Sequence, residues 1–112
     1  MILPMLLAFA GLEPTLAQAQ TCRAHMELLI EDVSRESEHV AGPTWFIRDW
    51  WTMRVVEAGA PDDDGAALAA RKAELERERR ENPDGFQAAR GACVDVAINA
   101  GAVPGMALVE PE

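Results

Sequence analysis

The chain has 112 residues, of which 49% are hydrophobic and 26% charged, and its 19 acidic side chains against 10 Lys and Arg give a net charge of -9. This composition is typical of one small globular domain and not of a disordered segment. Because an acidic surface repels nucleic acid and anionic membranes, neither is an expected partner.

Residues 1–19 carry the features of a secretory leader. An apolar stretch runs through Leu12, Pro14 interrupts it, and Ala17 and Ala19 form a small-x-small cleavage pattern. The stretch is shorter than the ~20 residues that a membrane-spanning helix needs. We therefore expect residues 1–19 to be a cleaved signal peptide and the protein to be periplasmic or secreted, without a stable membrane anchor. The alternative is a short buried N-terminal helix.

Two cysteines, Cys22 and Cys93, lie near the two ends of the predicted mature chain. In an oxidising compartment such a pair predicts a disulfide. Closing so long a loop stabilises a fold by roughly 4 kcal/mol in the chain-entropy model. A domain of this size has a marginal core, so the sequence predicts one structural disulfide, with a catalytic thiol as the alternative.

Gly and Pro punctuation divides the chain into helical segments without repeats or strand-like alternation. The first has one apolar stripe that includes Cys22, and the last has Cys93 on its inner face. The third is dense in charge and is expected to be the most solvated. Short connections favour antiparallel neighbours, which predicts an all-α fold: a small, irregular up-down four-helix bundle clamped by one disulfide. The predicted helices are 21–40, 43–58, 65–81 and 84–100, within a domain of residues 20–101 followed by an extended or frayed tail of residues 102–112.

The second predicted helix is apolar around almost its whole circumference. Trp45, Phe46, Trp50 and Trp51 are its aromatic residues, and one helix face is too narrow to bury all three tryptophans. A tryptophan left at the surface is a typical binding anchor. These four residues are therefore the predicted partner-binding residues, and core packing of one or two tryptophans is the alternative.

A polar stripe of His25, Asp32, Glu36 and His39 borders the apolar face of the first predicted helix. Imidazoles and carboxylates in line bind divalent metals or move protons. However, His25 and His39 lie about 21 Å apart along a helix, too far to share one ion. The stripe is thus interpreted as a solvated or boundary-packed surface, and the sequence predicts no metal site, cofactor or catalytic residue.

These observations favour an exported interaction module and not an enzyme. It would present the tryptophan-rich helix to a protein partner, to another copy of itself or to an apolar ligand. In outline the chain also resembles the small periplasmic acid-stress chaperones, which are exported, helical and held by one disulfide; the likeness lies in the cysteine pair and implies no further site residues. The remaining alternative is a small metal-binding protein or enzyme that uses the stripe from His25 to His39.

Overall fold

The computed structural model describes residues 14–60 and 65–106, and within these ranges the chain forms four α-helices and no strands. The predicted all-α bundle is confirmed. Residues 1–13, which make up most of the predicted leader, and residues 107–112 of the predicted tail lie outside the described residues. The helices are α1 (Leu16–Glu36), α2 (Gly42–Glu57), α3 (Gly65–Glu81) and α4 (Pro83–Asn99).

Helix α1 begins five residues before its predicted start, inside the predicted leader. Thr15 is its N-cap: the backbone N–H of Gln18 donates to Thr15 Oγ1 at 3.1 Å, and the backbone N–H of Thr15 donates to Gln18 Oε1 at 2.8 Å. This reciprocal pair is a capping box, which satisfies two otherwise unpaired N–H groups. The Thr15-x-x-Gln18 spacing is visible in the sequence, and it marks the start of the helix.

Helix α1 also ends four residues earlier than predicted. Ser37 is extended, with φ of -151° and ψ of 150°, and its Oγ accepts the backbone N–H of His39 at 3.1 Å. Such a local bond offers the backbone an alternative to the helix. His39 therefore lies beyond the helix end, and the predicted stripe from His25 to His39 is not one helical face.

The prediction of a single buried stripe on α1 is wrong as well. Cys22 and Met26 are buried on one side, but Ala24, His25 and Leu28 are also buried, and they project in other directions at 100° per residue. The reason is the central position of α1, which contacts each of the other three described helices. A central helix is enclosed on several sides at once.

The other helices start and end within one residue of their predicted bounds. Helix α4 is capped by Asn82, whose Oδ1 accepts the backbone N–H of Gly85 at 3.2 Å. A Cβ at Gly85 would lie 2.3 Å from Asn82 Nδ2, so the cap requires glycine there. Helix α3 has no fully buried residue, which agrees with the expectation that it is the most solvated helix.

The core lies between α1, α2 and α4 and is centred on the cysteine pair. The Cys22 and Cys93 sulfurs are at bonding distance, with Cα atoms 5.4 Å apart, within the usual range for a disulfide. Trp51 of α2 is completely buried beside them, and its indole Nε1–H donates to the backbone carbonyl of Cys93 at 3.0 Å. The predicted tail also contributes, because Val103 is buried against this cluster instead of being frayed.

We expect Trp51→Phe to lower the free energy of unfolding by about 2 kcal/mol, because the smaller ring leaves a cavity and removes the hydrogen bond to Cys93. Trp45→Phe is the matched control, since Trp45 is 40% exposed and should change stability by less than about 0.5 kcal/mol. Urea unfolding of the oxidised proteins measures both. Equal losses in the two variants would contradict the central role of Trp51.

Candidate functional site

Helix α2 is apolar on two opposite faces. Ile47, Trp51 and Val55 are buried against the core. At 100° per residue the opposite side carries four large apolar residues that are all substantially exposed. We call these four residues the outer face: Trp45 (40% exposed), Phe46 (49%), Met53 (50%) and Val56 (55%).

The structure separates the four predicted partner-binding residues. Trp45 and Phe46 lie on the outer face, and Trp50 is half-buried at its border. Trp51 is a core residue, which corrects its assignment to a binding surface; the Trp50 and Trp51 rings meet edge to face with centroids 4.8 Å apart. Because Trp45 and Trp51 project from different sides of α2, the burial of Trp51 leaves Trp45 exposed.

Met53 and Val56 belong to the outer face although sequence reasoning did not select them. They fall within the same arc of the helix wheel as Trp45 and Phe46, so the signal was present in the helical period. Aromatic residues are common binding anchors, and an exposed methionine is also typical of adaptable binding surfaces.

Ion pairs lie at the edges of the outer face, and exposed Asp49 lies within it, between Val56 and Met53 at 100° per residue. Arg48 pairs with Asp49 at 2.7 Å and with Glu27 of α1 at 3.4 Å, while its guanidinium lies 5.1 Å from the Trp45 ring centroid. Burial alone would lower the pKa of Arg48, but Asp49 and Glu27 outweigh burial and raise it.

On the other side of the helix, Arg54 pairs with Glu57 at 3.0 Å and covers the Trp50 ring at 4.5 Å. Stacking of a guanidinium on an indole is favourable and fixes the position of both groups. The result is a side of α2 on which four exposed apolar residues surround Asp49 and charged pairs lie at the edges; such a mixture of apolar and polar groups is common in protein interfaces.

A second cluster of polar residues joins α1, α3 and α4 around Asp32. This carboxylate pairs with Arg35 at 2.6 Å, with Arg79 of α3 at 3.1 Å and with Arg90 of α4 at 3.3 Å. Burial raises the pKa of Asp32, but hydrogen bonds and charge from Arg79 and Arg90 outweigh burial and hold the pKa below its usual value. Asp32 thus connects three helices.

His25 lies beside this cluster and is 1% exposed. Its ring is 5.0 Å from the Phe86 ring, and the guanidiniums of Arg79 and Arg90 lie 4.6 and 4.7 Å from that same ring. Burial, followed by the positive charges of Arg90 and Arg79, lowers the pKa of His25 to about 4. The imidazole is therefore neutral at pH 7.

The arrangement gives no support to the metal or enzyme alternative built on the stripe from His25 to His39. His25 is buried against Phe86, and Asp32 is ion-paired with three arginines. Glu36 and His39 are exposed. Within residues 14–60 and 65–106, no group of three or more His, Cys, Asp and Glu side chains is arranged to hold a metal ion. None of the helices in those ranges is both long and apolar enough to cross a bilayer.

Comparison of the chain with protein-family models, with curated proteins and with solved structures finds no match in any of the three. The case for function therefore depends on the chemistry of the surfaces described above.

We expect stability to fall as the pH is lowered from 6.5 to 4. An unfolded chain binds a proton on His25 near pH 6.5, whereas the folded protein binds it only near pH 4. Acid in this window therefore favours the unfolded state, by about 3 kcal/mol for a group this buried. Below pH 4 the stabilisation from Asp32, whose folded pKa is depressed, is lost in turn.

Urea unfolding between pH 7 and pH 4 tests this expectation. His25→Gln should flatten the dependence across the window, and His39→Gln, a change at an exposed position, should leave it as in the parent protein. Parallel pH profiles for His25→Gln and the parent protein would show that His25 is not the group responsible.

Proposed function

We propose that this protein is an exported helical interaction module that binds a protein partner through the outer face of α2. The observation that carries the proposal is the exposure of Trp45, Phe46, Met53 and Val56 on the side of α2 opposite the core. Single apolar residues are normal on a protein surface, but four large ones exposed on one side of one helix, two of them aromatic, are typical of an interaction site.

The rim supports a protein partner in particular. Arg48 and Arg54 are each paired with a carboxylate, so the border of the outer face is polar but carries little net charge of its own. A partner with an apolar strip and a few polar groups at its edge matches such a surface. The net charge of -9 of the whole chain further favours a partner that is neutral or basic.

Export is supported by the cysteine pair. Disulfides persist in the periplasm and outside the cell, and are rare in a reducing cytosol. Because Cys22–Cys93 bridges α1 and α4, the stability of the module depends on an oxidising compartment. An apolar leader upstream of Thr15 would provide the route to such a compartment.

We expect the leader to be removed upstream of Thr15, and not after Ala19. Cleavage after Ala19 would delete the capping box, worth about 1 kcal/mol, and Ala19 itself, which is completely buried. Cleavage at any bond upstream of Thr15 would leave α1 and its cap complete. Intact-mass measurement of the exported protein decides between them, and a mature chain beginning at Gln20 would contradict this expectation.

Site-specific crosslinking tests the outer face. With Phe46 replaced by the photoreactive p-benzoylphenylalanine, we expect a discrete adduct in the organism that encodes the protein. The same replacement at Gln87, an exposed position on α4, should give none. Adding Met53→Ser and Val56→Ser should abolish the adduct at Phe46, because two of the four apolar contacts are lost.

The mass of the adduct identifies the partner class, since twice the mass of the chain would indicate a second copy. Because Met53 and Val56 are exposed, we expect the Ser variants to remain folded, and circular dichroism checks this. Absence of an adduct at Phe46, or an equal adduct at Gln87, would refute binding through the outer face.

A second candidate, an acid-stress chaperone, is favoured by one observation: the buried His25 beside Arg79 and Arg90. Protonation of His25 there adds positive charge to a cluster that already contains two guanidiniums. A chaperone of this kind needs acid to loosen the contacts of α1 with α3 and α4, whereas an ordinary partner-binding module does not. An assay of client aggregation at acid pH therefore separates the two functions: suppression would favour the chaperone, and no suppression would rule it out.

A further inference from the structure

Helix α2 exposes its acidic side chains more than the basic side chains that pair with them. The side chain of Asp49 is 66% exposed, whereas that of its partner Arg48 is 26% exposed. In the second pair the side chain of Glu57 is 52% exposed and that of Arg54 is 23% exposed. Both guanidiniums lie over tryptophan rings of the same helix. A molecule that approaches the outer face therefore meets the carboxylates more readily than the guanidiniums.

The two carboxylates lie on either side of Met53. Asp49 precedes it by four residues and Glu57 follows it by four, and residues at that spacing are neighbours on the surface of a helix. Asp49 and Glu57 are thus about 12 Å apart along the helix axis. Glu57 is also the last residue of α2, where the unpaired carbonyl groups carry partial negative charge. Cations are therefore favoured at two places beside an exposed apolar side chain.

The shape of the surface favours a helix as the binding element. The outer face is one side of a single α-helix, whose interior backbone groups bond to one another and leave the side chains to make contacts. The part of the chain that the structure describes contains no strand, so it offers no sheet edge to which an extended peptide can add. Side chains of two packed helices interdigitate, and the distance of about 16 Å from Trp45 to Val56 along the axis corresponds to three turns of a partner helix.

Charge disfavours a second copy of this chain as the occupant. Two copies that met through α2 would each bring Asp49 and Glu57 to the contact, and each copy carries a net charge of -9. Like charges brought together at an interface weaken binding and slow association, whereas opposite charges do the reverse. The same carboxylates that repel a second copy attract a helix that carries Lys or Arg.

We propose that the outer face of α2 binds a basic amphipathic helix of another protein. Its apolar side chains pack on the four residues of the outer face, and two Lys or Arg side chains, about two turns apart, pair with Asp49 and Glu57. The inference rests on the proposed function, to which it adds the chemistry of the partner.

Synthetic peptides test the charge requirement on the oxidised protein with α1 complete from Thr15. The probe is a fluorescently labelled helical peptide of about 18 residues, with leucines along one side, two lysines two turns apart beside them, and alanines and glutamines elsewhere. Its counterpart has glutamates in place of the two lysines. By fluorescence anisotropy at about 0.15 M salt, we expect the lysine peptide to bind at least about tenfold more tightly, and this preference to fall as salt is added.

Two double variants locate the lysines of the bound peptide. Asp49→Asn with Glu57→Gln should weaken binding of the lysine peptide about tenfold, because both ion pairs are lost. Asp95→Asn with Glu81→Gln is the matched control, since it removes the same charge from exposed positions on α4 and α3 and should change the affinity less than about twofold. All four positions are exposed, so both variants should remain folded.

Equal binding of the two peptides, equal affinities of the two double variants, or no binding of the lysine peptide would each overturn the basic helix as the partner. Met53→Ser with Val56→Ser should abolish binding of the lysine peptide, and unchanged binding would overturn the proposal because the peptide would then lie elsewhere. If this variant loses both peptides while their charge has no effect, the outer face binds helices irrespective of charge, and this inference fails although the proposed function stands. The proposed function itself fails only if the crosslink at Phe46 is absent or is not specific.

Discussion

Cys93 is the residue at which three helices meet. Its sulfur bonds to Cys22 of α1, and its backbone carbonyl accepts the indole N–H of Trp51 from α2. The hydrogen bond fixes the rotation of α2 about its own axis, because the indole has one donor and it is buried. Once Trp51 points at Cys93, Ile47 and Val55 must also face the core, and the outer face must point away from it.

Helix α3 is held by different forces. Its contacts with α1 include ion pairs of Lys72 with Glu31 and of Arg79 with Asp32, and it contributes no fully buried side chain. Partly exposed ion pairs each add little stability. The Asp32 cluster is stronger as a unit, since Arg90 reaches the same carboxylate from α4 and the arginines stack on Phe86. The bundle thus has an apolar centre on one side of α1 and a charged contact on another.

The sequence predicts the parts of this architecture that local signals determine. Proline, glycine and charge mark α2, α3 and α4 within a residue, and the facing positions of Cys22 and Cys93 predict the disulfide. The start of α1 was missed although its Thr15-x-x-Gln18 signal is local, because the apolar residues around it also match a secretory leader. The early end at Glu36 depends on the bond from His39 to Ser37, which competes with a helical pattern that continues through Val40.

The orientation of α2 could not be predicted from periodicity. A helix that is apolar all round has no preferred face, so the choice between Trp45 and Trp51 for the core depends on the tertiary contact with Cys93. The burial of His25 could not be predicted either, because the polar stripe to which it belongs does not indicate that α1 is central and enclosed on several sides.

The exposure of the outer face follows from how few apolar side chains the neighbouring helices provide. Helices α1 and α4 cover one side of α2 with Met26, Ala97 and the disulfide. Helix α3 packs against α1 and α4, and its side chains are mainly charged residues and alanines that bury little apolar area. Among the described residues the apolar material for a second layer over α2 is lacking, so Trp45, Phe46, Met53 and Val56 stay in contact with solvent. Burial of those side chains then requires apolar surface from another molecule, which is the physical reason to regard α2 as a binding element as well as a core helix.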